Sequence, residues 1–203
     1  MTGCRERWVH LYEFGVGGEF GADDWSALRE DERARAACIR DPVRRKRFVV
    51  RRAALHAILG EYVDVPVCFS SSHSGDVAAV AVSRDPVGVD VEIETPRRLQ
   101  ERIAERMFTP DERSALEAVH GDARRTLFHR CWVAKEAYAK GLGRGLAMRF
   151  DDFCVAAALR SPAGTGTVGA DWSVAVTTRA DTHLAVAAPG GDWVLEQREV
   201  RVG

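Results

Sequence analysis

Pro86-Val87-Gly88-Val89-Asp90-Val91-Glu92 alternates apolar and acidic residues. That is the pattern of a strand with one face in the core, because side chains two apart point the same way. Asp90 and Glu92 therefore share a face. Further on, Cys131-Trp132-Val133-Ala134-Lys135-Glu136-Ala137-Tyr138-Ala139-Lys140 has the character of a helix, which places Glu136 and Lys140 one turn apart on a common face. Three carboxylates and one lysine on rigid, otherwise apolar elements suit a hard divalent cation beside a phosphate. Magnesium takes oxygen ligands from a few carboxylates and completes its shell with water and substrate phosphates. Each pair alone carries less weight. Asp-x-Glu occurs on exposed strands, and Glu followed by Lys four residues later is a common surface ion pair.

Around these two stretches the chain reads as helices, strands, helices and strands. Pro42 to Leu59 carries Phe48, Ala54, Leu55, Ile58 and Leu59 at near-helical spacing, with Gly60 placed to end it. Arg44, Arg45, Lys46, Arg47, Arg51 and Arg52 make this helix basic, which fits either a solvated face or an anion site. Val77–Val82 and Val87–Ile93, joined through Arg84-Asp85-Pro86, predict a β-hairpin. Thr109-Pro110-Asp111-Glu112 is a helix start with a cap, a proline and a glutamate three residues on. A long helix is expected over Arg124–Gly141, and strands over Phe153–Leu159, Trp172–Thr178, Thr182–Ala188 and Trp193–Val200. Ser70-Ser71-Ser72-His73-Ser74-Gly75 is expected to be a turn whose hydroxyls and imidazole can donate to an anion.

Composition bounds the class of protein. With 203 residues, 46% hydrophobic and 29% charged, the chain can bury a substantial core as one or two domains. A net charge of −1 gives no general reason to bind nucleic acid or a membrane surface. No apolar run reaches the roughly 20 residues of a membrane helix, and Met1–His10 lacks the apolar stretch of a secretory signal. Five scattered cysteines with no paired spacing point to reduced thiols and a cytoplasmic location. Two halves, 1–96 and 97–203, are expected, each with helices followed by strands.

Three motifs in fixed order carry a family resemblance. Ser72-His73-Ser74, Gly88-Val89-Asp90-Val91-Glu92 and Trp132-x-x-Lys135-Glu136-Ala137-x-x-Lys140 are similar to those of the 4′-phosphopantetheinyl transferases of the surfactin-synthetase type. Arg47-Phe48 with Arg51 and Arg52 resembles the family's arginine-bearing helix, and Phe108-Thr109-Pro110-Asp111-Glu112 its helix start. The chain departs from the family at Ser70, where an Asn is usual, and lacks a Gly-Lys-Pro segment between Leu59 and Phe69.

The resemblance implies an α+β pseudodimer of two similar halves with the active site in the cleft between them, working as a monomer. It implies transfer of the 4′-phosphopantetheine arm of coenzyme A to a serine of a carrier protein of fatty-acid, polyketide or nonribosomal peptide synthesis, releasing adenosine 3′,5′-bisphosphate. Asp90, Glu92 and Glu136 would hold Mg²⁺. Lys140 would contact the phosphate under attack or protonate the departing bisphosphate, and Glu136 or a metal-bound water would take the serine proton. Arg47, Arg51, Arg52, Ser72, His73, Lys135 and Lys140 would hold coenzyme A. The carrier would dock on an apolar stripe of Ile103 and Met107 flanked by Arg98 and Arg102. Two other readings remain open: a non-catalytic relative that binds coenzyme A or a carrier, and an unrelated Mg-dependent phosphotransferase.

Overall fold

The computed structural model describes residues 7–18, 21–94, 100–161 and 164–200. In chain order they form β1 (Arg7–Gly15), α1 (Ala22–Ser26), α2 (Glu30–Cys38), α3 (Pro42–Gly60), β2 (Cys68–Ser74), β3 (Val77–Ser83) and β4 (Gly88–Ile93). Then follow α4 (Gln100–Met107), α5 (Pro110–Glu117), α6 (Gly121–Gly141), α7 (Ala156–Arg160), β5 (Thr165–Val168), β6 (Trp172–Arg179), β7 (Thr182–Pro189) and β8 (Trp193–Arg198). The strands make two four-stranded sheets, ordered β2-β3-β1-β8 and β4-β7-β6-β5.

The sheets face each other across an aliphatic layer. Val9, Leu11, Ala79 and Ala81 of the first pack against Val89, Val91, Leu184 and Val186 of the second. On the outer face of the first sheet α3 supplies Leu55 and Ile58 against Tyr12, Val80 and Val82. On the outer face of the second, α6 supplies Val133, Ala134 and Ala137 against Val174, Val176, Ala185 and Ala187. The α+β class with two helix-covered sheets therefore holds, with burial on both faces greatest at the inner strands and the edge strands β2 and β8 left largely exposed.

Sheet membership does not follow the division at residue 96. β4 precedes that point yet pairs antiparallel with β7 in the second sheet, and β8 returns to pair parallel with β1 in the first. The boundary itself falls within 95–99, outside the described residues. The expected β3–β4 hairpin is likewise corrected: β3 pairs with β1 and β2, while β4 leaves for the other sheet. The Pro86 connection is thus a crossover between sheets. Ser70–Ser74, expected as a turn, belongs to strand β2, and the turn comes at Gly75-Asp76. Phe153–Leu159, expected as a strand, gives way to α7, while β1 and β5 form where no strand was expected.

Helix ends follow their local chemistry. Asp41 accepts from the Arg44 amide at 2.8 Å, with Pro42 at the first position of α3. At α5, Thr109 and Glu112 cap each other's amides as their spacing predicts. Ile103 and Met107 of α4 are partly buried and pack against the core of the second sheet. Arg98 lies outside the described residues.

Gly88 sets the closeness of β4 to α6. A Cβ on it would lie 1.9 Å from the Ala137 carbonyl oxygen and 2.5 Å from the Gly141 nitrogen, both backbone atoms that cannot rotate away. Gly88→Ala is therefore expected to lower stability by more than the roughly 1–3 kcal/mol of an ordinary overpacked site. Gly60, which ends α3 with nothing within 4 Å of such a Cβ, should gain about 0.5–1 kcal/mol as alanine. Urea unfolding of the two variants tests this; comparable midpoints would contradict the contact.

Candidate functional site

Because Gly88 faces α6, alternation sends Asp90 and Glu92 to the same side. α6 answers with Trp132, Glu136 and Lys140, spaced four apart and partly exposed where the residues between them are buried. Asp90 is 5% exposed. Its Oδ1 accepts from Lys140 Nζ at 2.7 Å and from Ser72 Oγ at 2.6 Å, and Ser72 Oγ also accepts from Lys140 at 3.1 Å. Ser74 Oγ donates to Glu92 Oε2 at 2.7 Å. Four of the predicted residues, Asp90, Glu92, Glu136 and Lys140, therefore converge between β4 and α6, with Ser72 among them.

Strand β2 explains why the serines and the histidine part company. Ser70, Ser72 and Ser74 point to β4: Ser70 Oγ accepts from the Val89 amide and Ser74 Oγ from the Ile93 amide, each at 3.1 Å. Hydroxyls thus satisfy amides on the edge of β4 that no neighbouring strand reaches. Ser70, where an Asn is usual in the family resembled, does this work with a single oxygen. His73 alternates to the opposite face and joins the arginines of α3.

There the chain forms a basic cleft of about 610 Å³ lined by Arg35, Arg44, Arg47, Arg51, His73 and, among the described residues, by no acidic one. An adjoining cleft of about 420 Å³ adds Arg52 and Ser72. Arg47 Nε bonds Asp76 Oδ1 at 2.7 Å, and Arg51 Nε donates to the Arg47 carbonyl at 3.2 Å. Arg52 is clamped by Glu32 of α2, which also meets His56, so its guanidinium orients α3 against α2. Burial lowers the Arg51 pKa, as do Arg52 and Arg35 beside it. The His73 pKa is also lowered, first by the surrounding protein and then by Arg51 and Lys140. A groove of crowded positive charge of this kind favours a dianion. Arg35 was not singled out in sequence, because only the fold brings α2 beside β2, and Arg44 stood there only as part of the basic run of α3.

Lys135 is placed elsewhere. It is 0% exposed, pairs with Glu112 Oε2 at 2.8 Å, and donates to the Phe150 and Phe153 carbonyls at 2.6 Å each. A fully enclosed ammonium cannot hold a solvent-borne ligand. Lys135 ties α6 to α5 and to the chain before α7, so its expected contact with coenzyme A is corrected to a structural role.

The chemistry of the carboxylates suits a bound cation. Asp90 Oδ2 is buried without a hydrogen-bond partner among the described residues. Burial raises the Asp90 pKa against the pull of Lys140 and Ser72. Glu136 is pushed up to about 7, by burial first and then by Asp90 and Glu92. Three carboxylates that repel one another, one with an orphaned oxygen, fit a small oxygen-seeking dication.

The model of the 4′-phosphopantetheinyl transferase superfamily matches residues 86–195, which hold β4 and all of α6. The chain is 30% identical over 213 residues to the 4′-phosphopantetheinyl transferase HetI of Nostoc sp., covering 91% of this chain and 89% of that protein. It is 37% identical over 87 residues to the 4′-phosphopantetheinyl transferase Sfp of Bacillus subtilis, 43% of this chain and 38% of that one. It is 31% identical over 97 residues to the 4′-phosphopantetheinyl transferase gsp of Aneurinibacillus migulanus, 46% and 39% respectively.

Lys135→Met leaves Glu112 buried and uncompensated, which should cost about 3–5 kcal/mol in chemical unfolding. The folded fraction should bind coenzyme A with unchanged affinity in calorimetry. A stable variant with weakened binding would return Lys135 to the ligand site.

Proposed function

The chain belongs to the 4′-phosphopantetheinyl transferase superfamily and transfers phosphopantetheine to carrier proteins, and on that premise we propose how its residues divide the work. Asp90, Glu92 and Glu136 would hold Mg²⁺, which supplies charge neutralisation at the pyrophosphate of coenzyme A. The observation that carries this reading is Asp90 Oδ2, buried with no hydrogen-bond partner among the described residues, in a carboxyl group whose charge helps raise the Glu136 pKa.

Lys140 is poised at the edge of that cluster. Its Nζ, held by Asp90 and Ser72, presents a fixed positive charge to the phosphate under attack or a proton to the departing adenosine 3′,5′-bisphosphate. Phosphoryl-type transfer depends mostly on positioning and charge stabilisation, and this lysine supplies both without rearrangement. A Glu136 carboxylate oxygen is the group of this chain placed to accept the proton of the incoming serine. Burial and the neighbouring carboxylates push its pKa up to about 7, and a cation bound beside it would favour the ionised form that accepts a proton.

His73 with Arg47 and Arg51 would grip the 3′-phosphate of coenzyme A, with Arg35 and Arg44 extending the basic wall. Strand alternation in β2 supports this division, because it gives the serines to the carboxylates and the histidine to the arginines. Between Leu59 and Phe69, where the family's Gly-Lys-Pro is absent, Tyr62 is buried on the first sheet and bonds Tyr12 and His10. The coenzyme contacts of that segment would then fall to the arginine wall.

Incubation with coenzyme A, Mg²⁺ and an apo carrier protein, followed by mass spectrometry of the carrier, tests the activity. Asp90→Ala, Glu92→Ala and Glu136→Ala should each weaken the apparent Mg²⁺ affinity by more than about tenfold while leaving the thermal midpoint near that of the parent. Unchanged turnover at limiting Mg²⁺ would remove that residue from the ligand set. His73→Ala should weaken coenzyme A by roughly ten- to a hundredfold, the worth of a charge-assisted hydrogen bond, and 3′-dephospho-coenzyme A hardly at all. Equal losses for both ligands would move His73 away from the 3′-phosphate.

A further inference from the structure

A second cluster of ligating side chains sits one residue beyond β4. Glu94, His129 of α6 and His183 of β7 bring one ligand atom each to within 4.8 Å of one another. Both imidazoles are 0% exposed, and their rings stack with centroids 5.4 Å apart. His129 Nδ1 donates to the Arg125 carbonyl at 2.9 Å, which leaves Nε2 a bare lone pair, and that atom is buried with no partner among the described residues. An enclosed imidazole nitrogen with nothing to accept from is costly unless something binds it.

The surroundings are those of an oriented ligand set. Glu94 Oε1 accepts from Thr126 Oγ1 at 2.8 Å and lies 2.9 Å from His183 Nε2. Arg125 Nε stands 3.7 Å from the other oxygen, Oε2, so Oε1 is the one turned to the histidines. His183 Nδ1 lies 3.0 Å from Thr178 Oγ1. Each ring thus has its far nitrogen bonded to an oxygen, the arrangement that fixes tautomer and orientation around a metal.

We propose that Glu94, His129 and His183 form a binding site for a borderline divalent transition metal of the Zn²⁺ class, separate from the magnesium ligands. Two imidazoles and one carboxylate select such ions over Mg²⁺, which prefers oxygen alone. Binding needs no net loss of a proton. The His183 ring proton moves from Nε2 to Nδ1, where Thr178 Oγ1 accepts it, and Nε2 turns its lone pair to the metal. The site joins the chain just after β4 to α6 and β7, so the ion would staple the elements that carry Asp90, Glu92 and Glu136. The proposal rests on this geometry and stands apart from the transferase reading.

The test uses the full chain, stripped with chelator and dialysed against Co²⁺ or Zn²⁺ with excess Mg²⁺ present to fill the oxygen site. Retained metal is counted by mass spectrometry, and Co²⁺ is also followed by its visible ligand-field bands. The parent and Asp90→Ala should each retain one ion per chain with identical spectra. His129→Phe and Glu94→Gln should retain none, and Zn²⁺ should raise the thermal midpoint of the parent but not of either variant. Should His129→Phe fail to fold, Glu94→Gln decides alone, since it keeps the side chain's shape. No retained ion in the parent, equal retention in Glu94→Gln, or loss of the ion in Asp90→Ala would each overturn the site.

Discussion

The contact between Gly88 and the backbone of α6 is the constraint on which the rest depends. Only a residue without a side chain lets β4 come this close to Ala137 and Gly141. Closeness at that point brings the next residues of the strand, Asp90 and Glu92, under the helix stripe bearing Glu136 and Lys140. Gly141 repeats the device from the helix side, where a Cβ would meet the Trp172 ring at 2.5 Å. Two glycines therefore bring a strand and a helix together tightly enough that charged side chains between them lose most of their water. The raised pKa values of Asp90 and Glu136 follow from packing.

That loss of water sets the chemistry. Burial and mutual repulsion raise the pKa of Asp90 and of Glu136, and Lys140, bonded to Asp90, offsets only part of this. The remaining negative potential is already in place when a cation arrives, so little rearrangement opposes its binding. Across β2 the opposite condition holds, with arginines crowded around His73. One edge strand thus separates a negative crevice from a positive groove. A molecule carrying both a metal-bound pyrophosphate and a distant phosphate would bridge the two.

Much of this was legible in the sequence where local chemistry and burial agree. The acidic strand, the α6 motif, the Thr109 cap and the basic α3 each declare themselves through spacing that survives in the fold. What failed was long-range pairing. Val77–Val82 and Val87–Ile93 look like a hairpin because both are strands with a short link, yet each finds a better apolar partner in a different sheet. The run Ser70–Ser74 looks like a turn because serine favours turns, but its hydroxyls substitute for a missing neighbour strand. Lys135 sits within a motif beside Glu136, and periodicity could not say that one residue's rotation buries it against Glu112. Glu94, His129 and His183 are too far apart in sequence to be seen as one cluster at all.

The return of β8 to β1 has a consequence for how the chain folds. The pairing joins residues 7–12 to residues 193–198, so the first sheet closes through contacts of nearly the greatest sequence separation available. High contact order slows folding, because loop entropy is lost before such contacts repay it. Until β8 arrives, β1 is an open edge with Val9 and Leu11 on one face, the kind of template that pairs with other chains. Neither half can reach its native state alone, since each sheet holds a strand from the far side of residue 96. Folding is in this sense a joint event, and the period before β8 docks is when the protein is most exposed to self-association.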